Sequence, residues 1–250
     1  MNLTTCPIHN ELLKDSVLIT GSPRSGTTLL GKIVGSLDHL EYHFEPPTFY
    51  MLTAAYAAGK LDSSIAKELL QLYMCEDLLL ESIHGRGVNL RPNDDSQILN
   101  RLSWKELNNR WLNIRNRADA IEFCQEQDLK LAIKAPNVFD SLDLLQETLP
   151  GVKILVSVRN GGDVIRSILA KGWVEDKNLD NDLWPYKQKD VPYWVPESYQ
   201  DKWSTMIPIN RATLMWCTHA KMGIACRNQK NVYEVRYEDL VSQPWHMIEL

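Results

Sequence analysis

The sequence predicts an α/β fold, a parallel sheet flanked by helices, and three observations carry that expectation. Apolar runs of strand length recur at Val17-Leu18-Ile19, Leu129 to Ile133, Ile154 to Val158 and Val232 to Tyr237. Segments with helical spacing separate them, and such alternation implies parallel strands joined by right-handed crossovers. The first run leads into Gly21-Ser22-Pro23-Arg24-Ser25-Gly26-Thr27-Thr28, with its glycines in G-x-x-x-x-G spacing. Leu29, Leu30, Ile33, Val34 and Leu37 then recur at helical intervals.

That strand, turn and helix order aims the backbone N–H groups of the turn and the helix N-terminus at one spot, which makes a site for an anion. A loop for a nucleoside triphosphate would carry Lys directly after the second glycine and would hold magnesium nearby. Thr27 stands there instead. The cation is Arg24, inside the loop. The expected ligand is therefore one phosphate with a reactive group beyond it, without metal.

The remaining elements follow in order. Asp38 to Pro47 reads as a loop fixed by Pro46 and Pro47. Two helical blocks, 49–83 and 103–127, place Leu69, Leu70, Leu72, Leu78, Leu79, Trp104, Leu107, Trp111, Leu112 and Ile114 in an outer layer. The second strand ends in Lys134-Ala135-Pro136. A helix from near Asn137 carries Val138, Leu142, Leu145 and Leu149 inward until Pro150-Gly151 stops it. Arg159 closes the third strand, Asn160-Gly161-Gly162 turns the chain, and Asp163 caps the next helix. The stretch 172–203 is rich in Trp and Pro (Trp173, Trp184, Pro185, Pro192, Trp194, Pro196) and reads as a wall of an acceptor pocket. A last long helix spans about 209–227.

Composition narrows the function. The 250 residues suit one domain, 1–250, and a net charge of −5 argues against nucleic acid as a partner. Positive charge at an anion site must then be local. Five cysteines without a C-x-x-C pair are the pattern of reduced thiols, and no apolar stretch reaches the length of a membrane span or a signal peptide. The expected location is cytoplasmic. His39, His84, His219 and His246 lack metal-ligand spacing, and no metal is expected.

In an open parallel sheet, ligands bind beyond the carboxyl ends of the strands. Arg24, Lys134 and Arg159 each follow or close a strand at that edge. On these residues the chain resembles the sulfotransferases that use 3′-phosphoadenosine 5′-phosphosulfate (PAPS), with their P-loop nucleoside-triphosphate-hydrolase-like fold. That family holds the 5′-phosphosulfate in a P-[KR]-[SA]-G-T-[TS] loop, matched by Pro23-Arg24-Ser25-Gly26-Thr27-Thr28. It holds the 3′-phosphate on an Arg at a strand end and a later Ser, matched by Arg159 and Ser167. Arg236-Tyr237-Glu238-Asp239-Leu240 matches a further signature.

Within the family the pattern is most similar to the tyrosylprotein sulfotransferases and their bacterial relatives. That resemblance implies Glu45 as catalytic base, with His43 as its rival, and Lys134 of the K-x-P step as a catalytic cation. The steroid and phenol enzymes use a His two residues beyond that Lys, where this chain has Pro136. By resemblance Lys171 adds to the 3′-phosphate site and Trp216 stacks on the adenine. PAPS is then the co-substrate, Arg24 and Lys134 stabilise the leaving phosphate, and the acceptor is a hydroxyl or amine of a small molecule, glycan or peptide. The alternatives are a P-loop small-molecule kinase, or a non-catalytic nucleotide-binding protein of the same fold. The last residues, Trp245 to Leu250, read as the start of a helix where similar proteins continue, which implies a compact or shortened chain.

Overall fold

The computed structural model describes residues 7–177 and 191–244. Its elements in order are α1 (Pro7–Leu12), β1 (Val17–Gly21), α2 (Thr27–Gly35), β2 (Leu40–Phe44), α3 (Pro47–Ala57) and α4 (Ser63–Leu72). A π-helical segment, Tyr73–Leu80, runs on into α5 (Glu81–Ile83). Then follow α6 (Trp104–Asn113), α7 (Arg117–Glu126), β3 (Lys130–Lys134), α8 (Leu142–Thr148), β4 (Lys153–Val158) and α9 (Gly161–Lys171). The chain ends with α10 (Glu197–Gln200), α11 (Pro208–Cys226), β5 (Val232–Arg236) and α12 (Tyr237–Ser242).

Among the described residues the strands form one sheet in the order β2-β3-β1-β4-β5. Every pairing is parallel, with Gly21 level with Ser157 and Ile19 level with Lys134. The side-chain period of two divides the core into layers. Leu18, Leu131, Ile133, Ile154 and Val156 face α3, α4, α7 and α8. Ile19 and Ala132 face Leu30 and Val34 of α2 on the other side. A separate cluster joins Val164 and Ile168 of α9 to Ala212 and Met215 of α11 and to Val191, Trp194 and Trp203.

Three expectations need correction. The segment before Pro46 is not a loop: Leu40–Phe44 is an edge strand. Its pattern hid it, because the residue facing the core is a carboxylate. Glu41 is fully buried and bonded by Arg101 and by Arg110 (2.9 Å), with Ser82 donating at 3.0 Å. Second, Asn160 rather than Asp163 caps α9. Its side chain accepts from the N–H groups of Gly162 (3.0 Å) and Asp163 (3.4 Å), while Asp163 pairs with Arg166. Third, not all of the helical layer faces inward. Leu70, Leu78, Leu79, Leu107 and Ile114 are buried, but Leu69, Leu72, Trp104 and Leu112 are exposed.

Arg211 fastens the segments on either side of residues 178–190. It is fully buried and donates to the carbonyls of Val174 (3.1 Å), Trp203 (3.0 Å) and Ser204 (2.9 Å), and to Asp176 (2.6 Å). Trp184 and Pro185 lie outside the described residues. No helix among the described residues is long and apolar enough to cross a membrane.

Burial alone would raise the Glu41 pKa, but Arg101 and Arg110 outweigh it and hold it at about 2. A depressed carboxylate contributes stability that is present above its ordinary value of 4.5 and is lost as the pH falls through the folded value. Glu41→Gln is therefore expected to cost about 3 kcal/mol at neutral pH. Urea unfolding between pH 5 and about 2 should fall less steeply in that variant than in the native chain.

Candidate active site

The turn after β1 is shaped by three left-handed backbone positions, Arg24 (φ 69), Gly26 (φ 98) and, with φ 148, Gly21 at its start. Ser25 closes it on itself: its N–H and Oγ both donate to the Ser22 carbonyl, at 3.1 and 2.6 Å. Ser157 at the end of β4 donates to the Ser25 carbonyl at 2.8 Å. No side chain caps α2, so its first N–H groups stay available for an anion. Gly26 is needed for space as well as for conformation. A Cβ there would run into the Tyr237 ring.

The turn after β4 meets this loop directly. Arg24 Nε donates to Ser167 Oγ at 2.9 Å, and Arg159 Nη1 donates to the Arg24 carbonyl at 3.2 Å. The Arg159 guanidinium lies 4.2 Å from the centre of the Tyr237 ring. Its Nε is buried without a protein partner. Glu238 accepts from the Asn160 N–H at 2.8 Å, and that bond holds its pKa below the usual range. Trp216 packs on Gly161, where a Cβ would come within 2.6 Å of the indole. Between these groups lies a cavity of about 290 Å³, lined by Ser22, Ser25, Arg159, Trp216, His219 and Arg227 among others. Ser167 is half-buried, and Lys171, one turn further along α9, is exposed.

Lys134 and Glu45 meet beside the loop. Lys134, 2% exposed at the end of β3, is ion-paired with Glu45 and sits 4.2 Å from the centre of the Phe44 ring. The Glu45 N–H donates to the Lys134 carbonyl at 2.8 Å, which fixes the carboxylate beyond the strand end. Burial lowers the Lys134 pKa, and Glu45 opposes that shift. Glu45 opens on a second cavity of about 440 Å³, walled by Pro23, Tyr50, Trp173, Tyr193, Trp194 and Met215. The Trp-rich stretch thus contributes Trp173 and Trp194 to the pocket beside Glu45. Trp173 also lies under the Arg24 guanidinium, at 5.6 Å.

His43 does not share this cavity. It lies on the Glu41 side of β2, lining a different one with Leu78 and Arg101, and burial lowers its pKa to about 4. His219 stands in the wall common to the 290 and 440 Å³ cavities, and burial keeps it neutral, with a pKa of about 3. Tyr237 and Phe44 are the contacts that sequence reasoning missed. The signal for Tyr237 was the Arg236-Tyr237-Glu238-Asp239 stretch, but its role under Arg159 depends on residues nearly eighty positions away in sequence. Elsewhere, His9, Cys75 and Glu76 lie close enough to share an ion. Glu76 is already held by Arg117, at 2.6 and 2.7 Å, and by His9 at 2.7 Å.

A family model described as the sulfotransferase family matches residues 16–250. No curated protein matches the chain significantly. Similar solved structures include the sulfotransferase domain from the curacin biosynthetic pathway, 18% identical over 94% of this chain and 71% of that one, with a TM-score of 0.48. Another is the sulfotransferase domain of the Synechococcus PCC 7002 olefin synthase, at 20% identity, 94% and 71% coverage and a TM-score of 0.45. A sulfotransferase from Mycobacterium avium is 10% identical over 95% of this chain and 62% of that one, with a TM-score of 0.40.

The Tyr237 contact yields a stability test. Gly26→Ala forces a side chain into that ring at a left-handed position and is expected to cost about 3 kcal/mol. Gly59→Ala, also left-handed (φ 65) but with nothing within 4 Å, should cost only about 1 kcal/mol. Denaturant unfolding of the two variants measures the difference.

Proposed function

The chain belongs to the sulfotransferase family, and we propose that it moves the sulfuryl group of PAPS to an acceptor hydroxyl or amine. The observation that carries this reading is the direct contact of the loop after β1 with the turn after β4 and with α9: Arg159 donates to the Arg24 carbonyl, and Arg24 donates to Ser167 of α9. That contact supports one nucleotide reaching both candidate phosphate sites. The residues fit the donor. The loop offers an uncapped helix N-terminus, Arg159 keeps a buried Nε without a partner, and the cavity beside it is near the small end of ligand pockets (roughly 300–1,000 Å³).

The donor supplies an activated sulfuryl group whose leaving atom is an oxygen of the 5′-phosphate. Ser25, Gly26, Thr27 and Thr28 hold that phosphate, and Arg24 and Lys134 meet the charge that grows on the departing oxygen. Arg159 and Ser167, with Lys171 behind them, hold the 3′-phosphate, and Trp216 flanks the adenine. The acceptor enters by the aromatic cavity that opens on Glu45. Glu45 takes the proton as the acceptor oxygen attacks sulfur in line. The family match covers sulfotransferases generally, so the choice of Glu45 as base rests on its place in that cavity.

The test is transfer of labelled sulfate from PAPS to simple alcohols and phenols. Glu45→Gln and Lys134→Met should each lower kcat by about 10²- to 10³-fold. Arg159→Ala should weaken adenosine 3′,5′-bisphosphate binding about 10- to 100-fold. Full transfer by the Glu45 and Lys134 variants would remove the mechanism.

A further inference from the structure

We propose that the Phe44 ring is a positioning residue for Lys134: its face takes the place of water around a buried ammonium and keeps that ammonium charged beside the loop. The structure gives Lys134 a narrow set of neighbours. Its Nζ lies 4.2 Å from the centre of the Phe44 ring and is ion-paired with Glu45. Its stem passes the open face of α2, where a Cβ on Gly31 would come within 3.2 Å of Lys134 Cγ. The whole side chain is 2% exposed, so bulk water cannot solvate the charge. An aromatic face a few ångströms from an ammonium attracts it through the ring quadrupole, and the attraction grows as water is removed.

The residues on both sides make the arrangement specific. Phe44 and Glu45 are consecutive, so one strand end brings both the ring and the carboxylate to Lys134. The β2–β3 register sets Phe44 level with Lys134, and the Glu45 N–H to Lys134 carbonyl bond locks that register. The other charged or titratable groups that act on Lys134 are Asp95, which favours its charge, and Arg24, which opposes it. The Tyr42 hydroxyl, beside Gly31, is kept neutral by burial. Glu45 alone is a poor guarantor of the charge, because the proposed reaction needs that carboxylate free to accept a proton. Phe44 carries no charge and cannot be protonated, so it supports Lys134 whatever the state of Glu45.

This inference rests on the proposed reaction only for its consequence, since the contact can be read without donor or acceptor. Protein labelled with ¹³Cε-lysine is titrated by NMR, and the Lys134 signal is assigned as the one absent from Lys134→Gln. Phe44→Leu should lower the Lys134 pKa by roughly 0.5 to 1.5 pH units. Phe44→Tyr and Phe44→Trp should restore it. Fluorinated phenylalanines at position 44, which keep the shape and weaken the quadrupole, should lower it stepwise and cover the case in which Phe44→Leu fails to fold. An unchanged pKa in Phe44→Leu or across the fluorinated series overturns the proposal, as does a Tyr variant that behaves like Leu. If the chain transfers sulfate, the alkaline limb of its pH–rate profile moves down with the same series. If it binds no adenosine 3′,5′-bisphosphate, the sulfotransfer reading fails while the NMR result still decides the role of Phe44.

Discussion

The site depends on one residue used at several points, through its backbone and its side chain. Arg24 sits in a left-handed turn, its carbonyl accepts from Arg159, and its Nε donates to Ser167. These bonds couple the turn after β1 to the turn after β4 and to α9, and β1 and β4 are neighbouring parallel strands level at Gly21 and Ser157. The Ser157 hydroxyl on the Ser25 carbonyl adds a third tie. Two guanidiniums beside an uncapped helix N-terminus make the local field positive even in a chain of net charge −5.

Around that junction the sheet sorts the other parts by register. β3 lies on one side of β1 and ends in Lys134, and β4 lies on the other and leads to Arg159. β2, at the sheet edge, ends in Phe44 and delivers Glu45 to Lys134. The buried Glu41, held by Arg101 and Arg110, anchors that edge strand from its other face. On the far side, Arg211 secures the chain that supplies Trp173 and Trp194 to the cavity beside Glu45. Supports far from the loop thus set the place of the proposed base and of the cavity beside it.

What could be read in the sequence and what could not divide along physical lines. The apolar strands and the glycine-spaced turn are local patterns, and they lie where periodicity puts them. β2 was hidden because its core-facing residue is Glu41, whose partners are sixty and sixty-nine positions away. Asp163 looked like a cap by residue type, yet Asn160 stands at the position where a side chain reaches the free N–H groups of α9. Leu72 and Leu112 have helical spacing but face outward, since spacing gives a stripe and tertiary packing chooses which stripe is covered. The loop, Arg159 and Ser167 belong to compact motifs that are visible in the sequence, and the fold brings these residues into contact. Phe44 and Tyr237 could not, because each matters through a cation brought to it by the fold.

The central claim is that one ligand spans both turns, with a phosphate at each. Calorimetry comparing adenosine 3′,5′-bisphosphate with adenosine 5′-monophosphate and adenosine 3′-monophosphate tests it most directly. One-to-one binding of the bisphosphate is expected, tighter by about 100-fold than either monophosphate. Equal affinity for the bisphosphate and one of the monophosphates, or no binding at all, would contradict it.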